Sequence, residues 1–117
     1  MADWRQIQAR IRKVMARTPI HPGEILADEL EELGMSAAKL ARTLDVPANR
    51  ISQIIAGKRA ITADTALRLA RYFGTSADFW MNLQKAYDLD LARQHIGKAI
   101  AQIPKRPAAA EPLRERA

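Results

Sequence analysis

No cysteine occurs among the 117 residues, which removes disulfides, thiolate metal sites and cysteine nucleophiles from consideration. Histidine is scarce as well: His21 and His95 stand far apart, an arrangement that speaks against a metal centre. The five glycines are isolated, so no glycine loop can cradle a phosphate. No Ser/His/Asp set and no pair of catalytic carboxylates can be assembled, and neither a catalytic residue nor a cofactor is expected. Apolar runs stay well short of the roughly 18 residues that would suggest a membrane span. The basic first segment has no apolar core behind it and does not read as a secretory signal. A cytoplasmic protein is the expectation. Strand signals are missing too, because no stretch alternates apolar and polar residues between turn residues.

What is present is positive charge, unevenly placed. The formal net charge is +6. Residues 1–20 carry five basic groups against Asp3, residues 91–117 carry six against two, and residues 21–90 are slightly acidic, with eight against ten. Inside that acidic middle the signs separate again. Glu24, Asp28, Glu29, Glu31 and Glu32 crowd together, whereas Lys39, Arg42, Arg50, Lys58 and Arg59 face only Asp45 across residues 36–59. A basic patch on an acidic core steers toward polyanions.

The hydrophobic pattern is helical throughout. Trp4, Ile7, Ile11 and Val14 repeat at three and four residues and predict a basic amphipathic helix over residues 1–17. Pro19 breaks it, and a second helix starts near Pro22, burying Ile25, Leu26, Leu30 and Leu33 and stopping at Gly34. Ser36 caps a helix from Ala37 to Leu44. Pro47 opens the next, which runs to Ala56, buries Ile51, Ile54 and Ile55, and ends at Gly57. Thr62 caps a helix through Phe73 with an inner face of Ala66, Leu67, Leu69 and Ala70. Ser76 caps another carrying Phe79, Trp80, Leu83 and Tyr87, continuing toward Ile100 with a break near Asp88. The expected fold is all-α: a compact five-helix domain over residues 18–100, preceded by the extra N-terminal helix and followed by a flexible tail at 101–117.

Two short helices joined by a tight turn within such a domain follow the plan of a helix-turn-helix. The second helix must be apolar on the side that rests on its partner and polar on the side that enters a major groove. Ile51, Ile54 and Ile55 supply the first side. Asn49, Arg50 and Gln53 share the second, and their chemistry suits base edges: Asn and Gln can pair with adenine, Arg with guanine. Ala48 is small enough to admit the helix to the groove, and such helices read mainly with their N-terminal residues. Groups suited to phosphates surround that face. The helix start at Ser36 and Ala37 offers backbone N–H groups, while Lys39, Arg42, Ser52, Lys58 and Arg59 complete the set.

The segment from Leu33 to Ala41 with that from Val46 to Arg59 resembles the Cro/CI-type (XRE) helix-turn-helix. The flanks His21-Pro22-Gly23-Glu24-Ile25-Leu26 and Phe73-Gly74-Thr75-Ser76-Ala77-Asp78-Phe79-Trp80-Met81-Asn82-Leu83-Gln84 are similar to HigA/VapI-type addiction-module antidotes. The resemblance covers roughly residues 18–95. It implies an antitoxin that neutralises a small basic ribonuclease toxin of the HigB type. It further implies repression of its own operon by a homodimer on palindromic double-stranded operator DNA. Two features depart from the pattern: the arms extend beyond the compact domain, and Asp45 occupies a turn position where the wider family often has glycine.

The remaining residues invite plainer roles. His21 reads as a helix-start side chain rather than a ligand. Phe79, Trp80 and Leu83 are core groups or a dimer interface. The acids of residues 24–32 read as the exposed side of an amphipathic helix, with a basic toxin as the sharper alternative. Two other functions compete with the antitoxin: a repressor with no toxin partner, and a protein–protein module that no longer reads DNA.

Overall fold

The computed structural model describes residues 19–107; the expected helix over residues 1–17 and the end of the tail lie outside the described residues. Five helices follow one another: α1 Pro22–Leu33, α2 Ala37–Leu44, α3 Ala48–Ile55, α4 Ala63–Phe73 and α5 Ala77–Ala101. No strand occurs among the described residues, and the all-α expectation holds.

Local chemistry accounts for the helix ends. At α1, the His21 ring Nδ1 accepts a hydrogen bond from the Gly23 N–H at 2.8 Å, and Pro22 occupies the first helical position, where a missing N–H has no consequence. Ser36 and Ser76 accept the N–H groups of Lys39 and Phe79, each at 3.0 Å, as N-cap serines should. Thr62 takes the N-cap position of α4 without a side-chain bond. Pro47 is the N-cap of α3 rather than its first residue, because its ψ of 145° is still extended. The helix expected from Pro47 to Ala56 is therefore Ala48–Ile55.

The turn between α2 and α3 depends on Asp45, which adopts φ 62° and ψ 49°. It is the one described non-glycine residue with positive φ, and aspartate tolerates this region better than most side chains. The Val46 N–H then reaches back to the Ala41 carbonyl and the Asp45 N–H to that of Arg42, which closes the end of α2. Gly57, with φ 77°, closes α3 in the same way through Lys58 N–H and the Gln53 carbonyl.

The core gathers one face from every helix. Leu26, Leu40, Ile51, Ile54, Leu69 and Trp80 have no exposed surface. Trp80 lies against Phe73 and Phe79 and donates its indole N–H to the Thr75 hydroxyl at 2.9 Å, so the one polar atom of a buried ring is satisfied. Trp80 and Leu83 thus belong to the chain's own core, the first of the two roles expected of them. Three expectations are corrected. Leu67 is 63% exposed, since the inward face of α4 at helical spacing runs through Thr65, Ala66, Leu69 and Ala70. Glu29 is buried, one turn from Ile25 and Leu26, whereas Glu24, Asp28, Glu31 and Glu32 are exposed. The break in α5 falls at Ile96 (φ −124°, ψ 16°), not near Asp88.

One contact sets how α1 meets α3. A Cβ built on Gly23 would lie 1.9 Å from the Ile54 carbonyl oxygen. Only glycine lets the start of α1 approach the end of α3 this closely.

Candidate nucleic-acid interface

The side of α3 opposite Ile51 and Ile54 carries Asn49 and Gln53, and Arg50, one residue on from Asn49, stands at its edge where α3 meets α4. Asn49 is exposed, while Arg50 and Gln53 are half-buried because each is held by another side chain. The Arg50 Nη1 donates to the Asp64 carboxylate on the first turn of α4. The same carboxylate oxygen accepts from Arg68 Nε at 3.1 Å, one turn along α4. Arg68 reaches further: its Nη1 donates to the Leu44 carbonyl at 2.8 Å and to that of Asp45 at 3.3 Å. A chain of polar contacts therefore runs from the turn of the helix pair, through Arg68 and Asp64, to Arg50. Hydrogen bonds from Arg68 and Arg50 hold the Asp64 carboxyl below the usual carboxylate range, so it stays ionised.

Gln53 has a second clamp. Its Oε1 accepts from Arg59 Nε at 2.9 Å, which turns the amide NH2 away from that arginine. The Ser52 hydroxyl donates to the Asn49 carbonyl at 3.3 Å, a bond within the helix rather than one directed outward. Arg50, Arg59 and Arg68 together line a surface hollow of about 390 Å³ with Asp64, Thr62 and Thr65. Three guanidinium groups around one carboxylate leave this hollow net positive.

Of the residues expected to face phosphates, Ala37 is half-buried at the start of α2, and Lys39, Arg42, Lys58 and Arg59 are exposed around α2 and beyond α3. Ser36 uses its hydroxyl as an acceptor for Lys39 N–H, so α2 keeps fewer open N–H groups than its N-terminus alone implied. The loop after α3 is fixed from behind. The Ile61 N–H donates to Gln84 Oε1 at 2.8 Å, and Gln84 Nε2 donates to Asp88 at 3.0 Å. Asp64 and Arg68 carry no signal of a site role in the sequence, and Gln84 enters only as the end of the flank similar to the HigA/VapI-type antidotes. The spacing of Asp64 and Arg68 by four residues is the one signal that pairs two of them. Nothing in the sequence marks their long-range partners.

A family model described as Helix-turn-helix (HTH_3) matches residues 26–80, which hold α1 from Leu26 onward, all of α2 to α4 and the start of α5. Virulence-associated protein I of Dichelobacter nodosus is 57% identical over 76 residues, 64% of this chain and 70% of that protein. The solved addiction module antidote protein of the HigA family from Coxiella burnetii superposes with a TM-score of 0.73. It is 55% identical, over 75% of this chain and 97% of that one. The chain belongs to the HigA family of addiction-module antidotes. A further HigA-family structure, Pseudomonas aeruginosa antitoxin HigA with the higBA promoter, is 50% identical over 79% of this chain and 100% of that one, with a TM-score of 0.72. The HigA likeness thus covers a larger share of the chain than the helix-turn-helix match does.

Proposed function

We propose that this chain is a DNA-binding antitoxin that represses its own operon and neutralises a small ribonuclease toxin. The observation that carries the reading is the outer face of α3. Three side chains suited to base edges stand there in one row, two of them braced, beside a net-positive hollow. A helix with a merely structural role has no use for such bracing on its solvent side. The relative solved with its promoter supports the same assignment by likeness.

In this function Ala48, Asn49, Arg50 and Gln53 meet the major groove, Asn49 suiting adenine and Arg50 guanine. Ser36, Ala37, Lys39, Arg42, Ser52, Lys58 and Arg59 contact the phosphates and set the register without reading sequence. A homodimer places two such helices on an inverted repeat, with half-sites about 34–36 Å apart. The toxin is held on another surface, leaving the reading face available to DNA.

The test is to co-express the neighbouring toxin gene with the Asn49→Ala/Arg50→Ala variant, scoring growth together with binding to the protein's own promoter fragment. Each lost base contact removes about 1–3 kcal/mol of discrimination, so promoter recognition should collapse while protection from the toxin persists. A folded variant that loses protection would overturn the two-surface reading. Wild-type protein that binds promoter and random duplex equally would overturn DNA reading altogether.

A further inference from the structure

We propose that Asp64, a residue of α4 outside the recognition helix, determines specificity by positioning Arg50 for a single base. The inference rests on the DNA-reading function and adds a residue that has no base contact of its own.

Free arginine side chains are long and sample many rotamers, so a single bidentate contact to guanine ordinarily requires ordering on binding. Arg50 is ordered in advance. It donates to Asp64 through Nη1, and that leaves the edge formed by Nε and Nη2 for a planar, two-bond contact to guanine O6 and N7. The carboxylate is not itself adrift. Arg68 grips the same Oδ2, and the Arg68 Nη1 is tied to the Leu44 and Asp45 carbonyls. These carbonyls belong to the turn that joins α2 to α3. The position of the Arg50 guanidinium is therefore referenced to the helix-turn-helix itself through two side chains of α4.

The opposite role for the same pair would be sequestration, with Asp64 holding Arg50 away from DNA. The two differ in what removal of the carboxylate does. If Asp64 positions Arg50, Asp64→Ala frees the arginine to drift, and the base it reads becomes ambiguous. Loss of a negative charge beside the phosphates also raises affinity for any duplex. If Asp64 sequesters Arg50, the same substitution sharpens a base preference or creates one.

The experiment is selection from a random-sequence duplex library with wild-type protein and with Arg50→Ala, Asp64→Ala, Arg68→Ala and Arg50→Ala/Asp64→Ala, each checked for folding by thermal melting. The position whose preference disappears in Arg50→Ala is the one Arg50 reads. Asp64→Ala should lose about tenfold or more of the preference at that position, keep the preferences assigned to Asn49 and Gln53, and bind random duplex more tightly. Arg68→Ala should weaken the same position by a smaller factor. In the Arg50→Ala background, Asp64→Ala should change no base preference. Retention or sharpening of that preference in a folded Asp64→Ala protein would overturn the inference while leaving DNA reading intact. A wild-type protein that enriches no motif would instead overturn DNA reading, and this inference with it.

Discussion

The two faces of α3 are made by different means. The inner face is apolar and shut: Ile51 and Ile54 have no exposed surface, and the Ile54 carbonyl sits against Gly23 of α1 with no space for a methyl group. The outer face is polar and held by pairs of side chains, Arg50 to Asp64 and Gln53 to Arg59, all near water. Exposed ion pairs contribute little stability, whereas close packing is felt at the level of one methylene. The inner face therefore sets where the helix lies, and the outer face sets where its side chains point. Stability and recognition should separate along that line.

The sharpest way to break the comparison is Gly23→Ala. The added methyl group would press on the Ile54 carbonyl, and the overpacking should destabilise the fold by about 3 kcal/mol, read as a lowered midpoint in urea. Arg50→Ala, on the other side of the same helix, should leave that midpoint almost unchanged. Equal melting of the two variants would show that the faces are not independent.

A smaller loss is expected from Gln84→Leu. This substitution keeps much of the volume but leaves the Ile61 N–H without its acceptor, at a penalty of about 1–3 kcal/mol. Hydrogen exchange at the Ile61 amide should rise. Because that loop leads from α3 toward Arg59 and α4, operator affinity should fall further than stability alone requires.

The smallest effect follows pH. Burial pushes the His21 pKa down, opposed by the nearby charges of Glu24 and Asp88. The folded protein thus prefers neutral imidazole, and the Nδ1 that accepts from Gly23 must be unprotonated to do so. The unfolded chain takes up the proton first as pH falls. This contribution to stability is fully present above the ordinary histidine pKa of about 6.5 and is lost as pH falls through the lowered folded value. A His21→Asn variant keeps an N-cap acceptor and should melt with a flatter pH dependence over that range. An unchanged slope would remove His21 as its source.

Much of this arrangement was legible without coordinates. Ser36, Ser76, Gly34 and Gly57 mark helix ends by chemistry that acts over a few residues, and each does so in the structure. The row Asn49, Arg50, Gln53 follows from the period of the helix, and the tolerance of aspartate for positive φ foretold Asp45. Other readings failed, or left two roles open, where the deciding neighbour is distant in the chain. Leu67 is as apolar as Leu69, but only one of them meets the core. Trp80 and Leu83 suit a dimer contact or a core equally well by pattern, and the packing of α4 on α5 places them in the core.

The same division runs through the site. Residue type and helical period by themselves determined which side chains of α3 share its outer face, because both are properties of a short local segment. Only the tertiary structure decided that Arg50 answers to Asp64, that Arg68 ties both to the turn at Leu44 and Asp45, and that Gln84 holds the loop at Ile61. Those partners lie between 14 and 24 residues away along the chain, where no local period links them, and they meet because the packed helices bring them within reach.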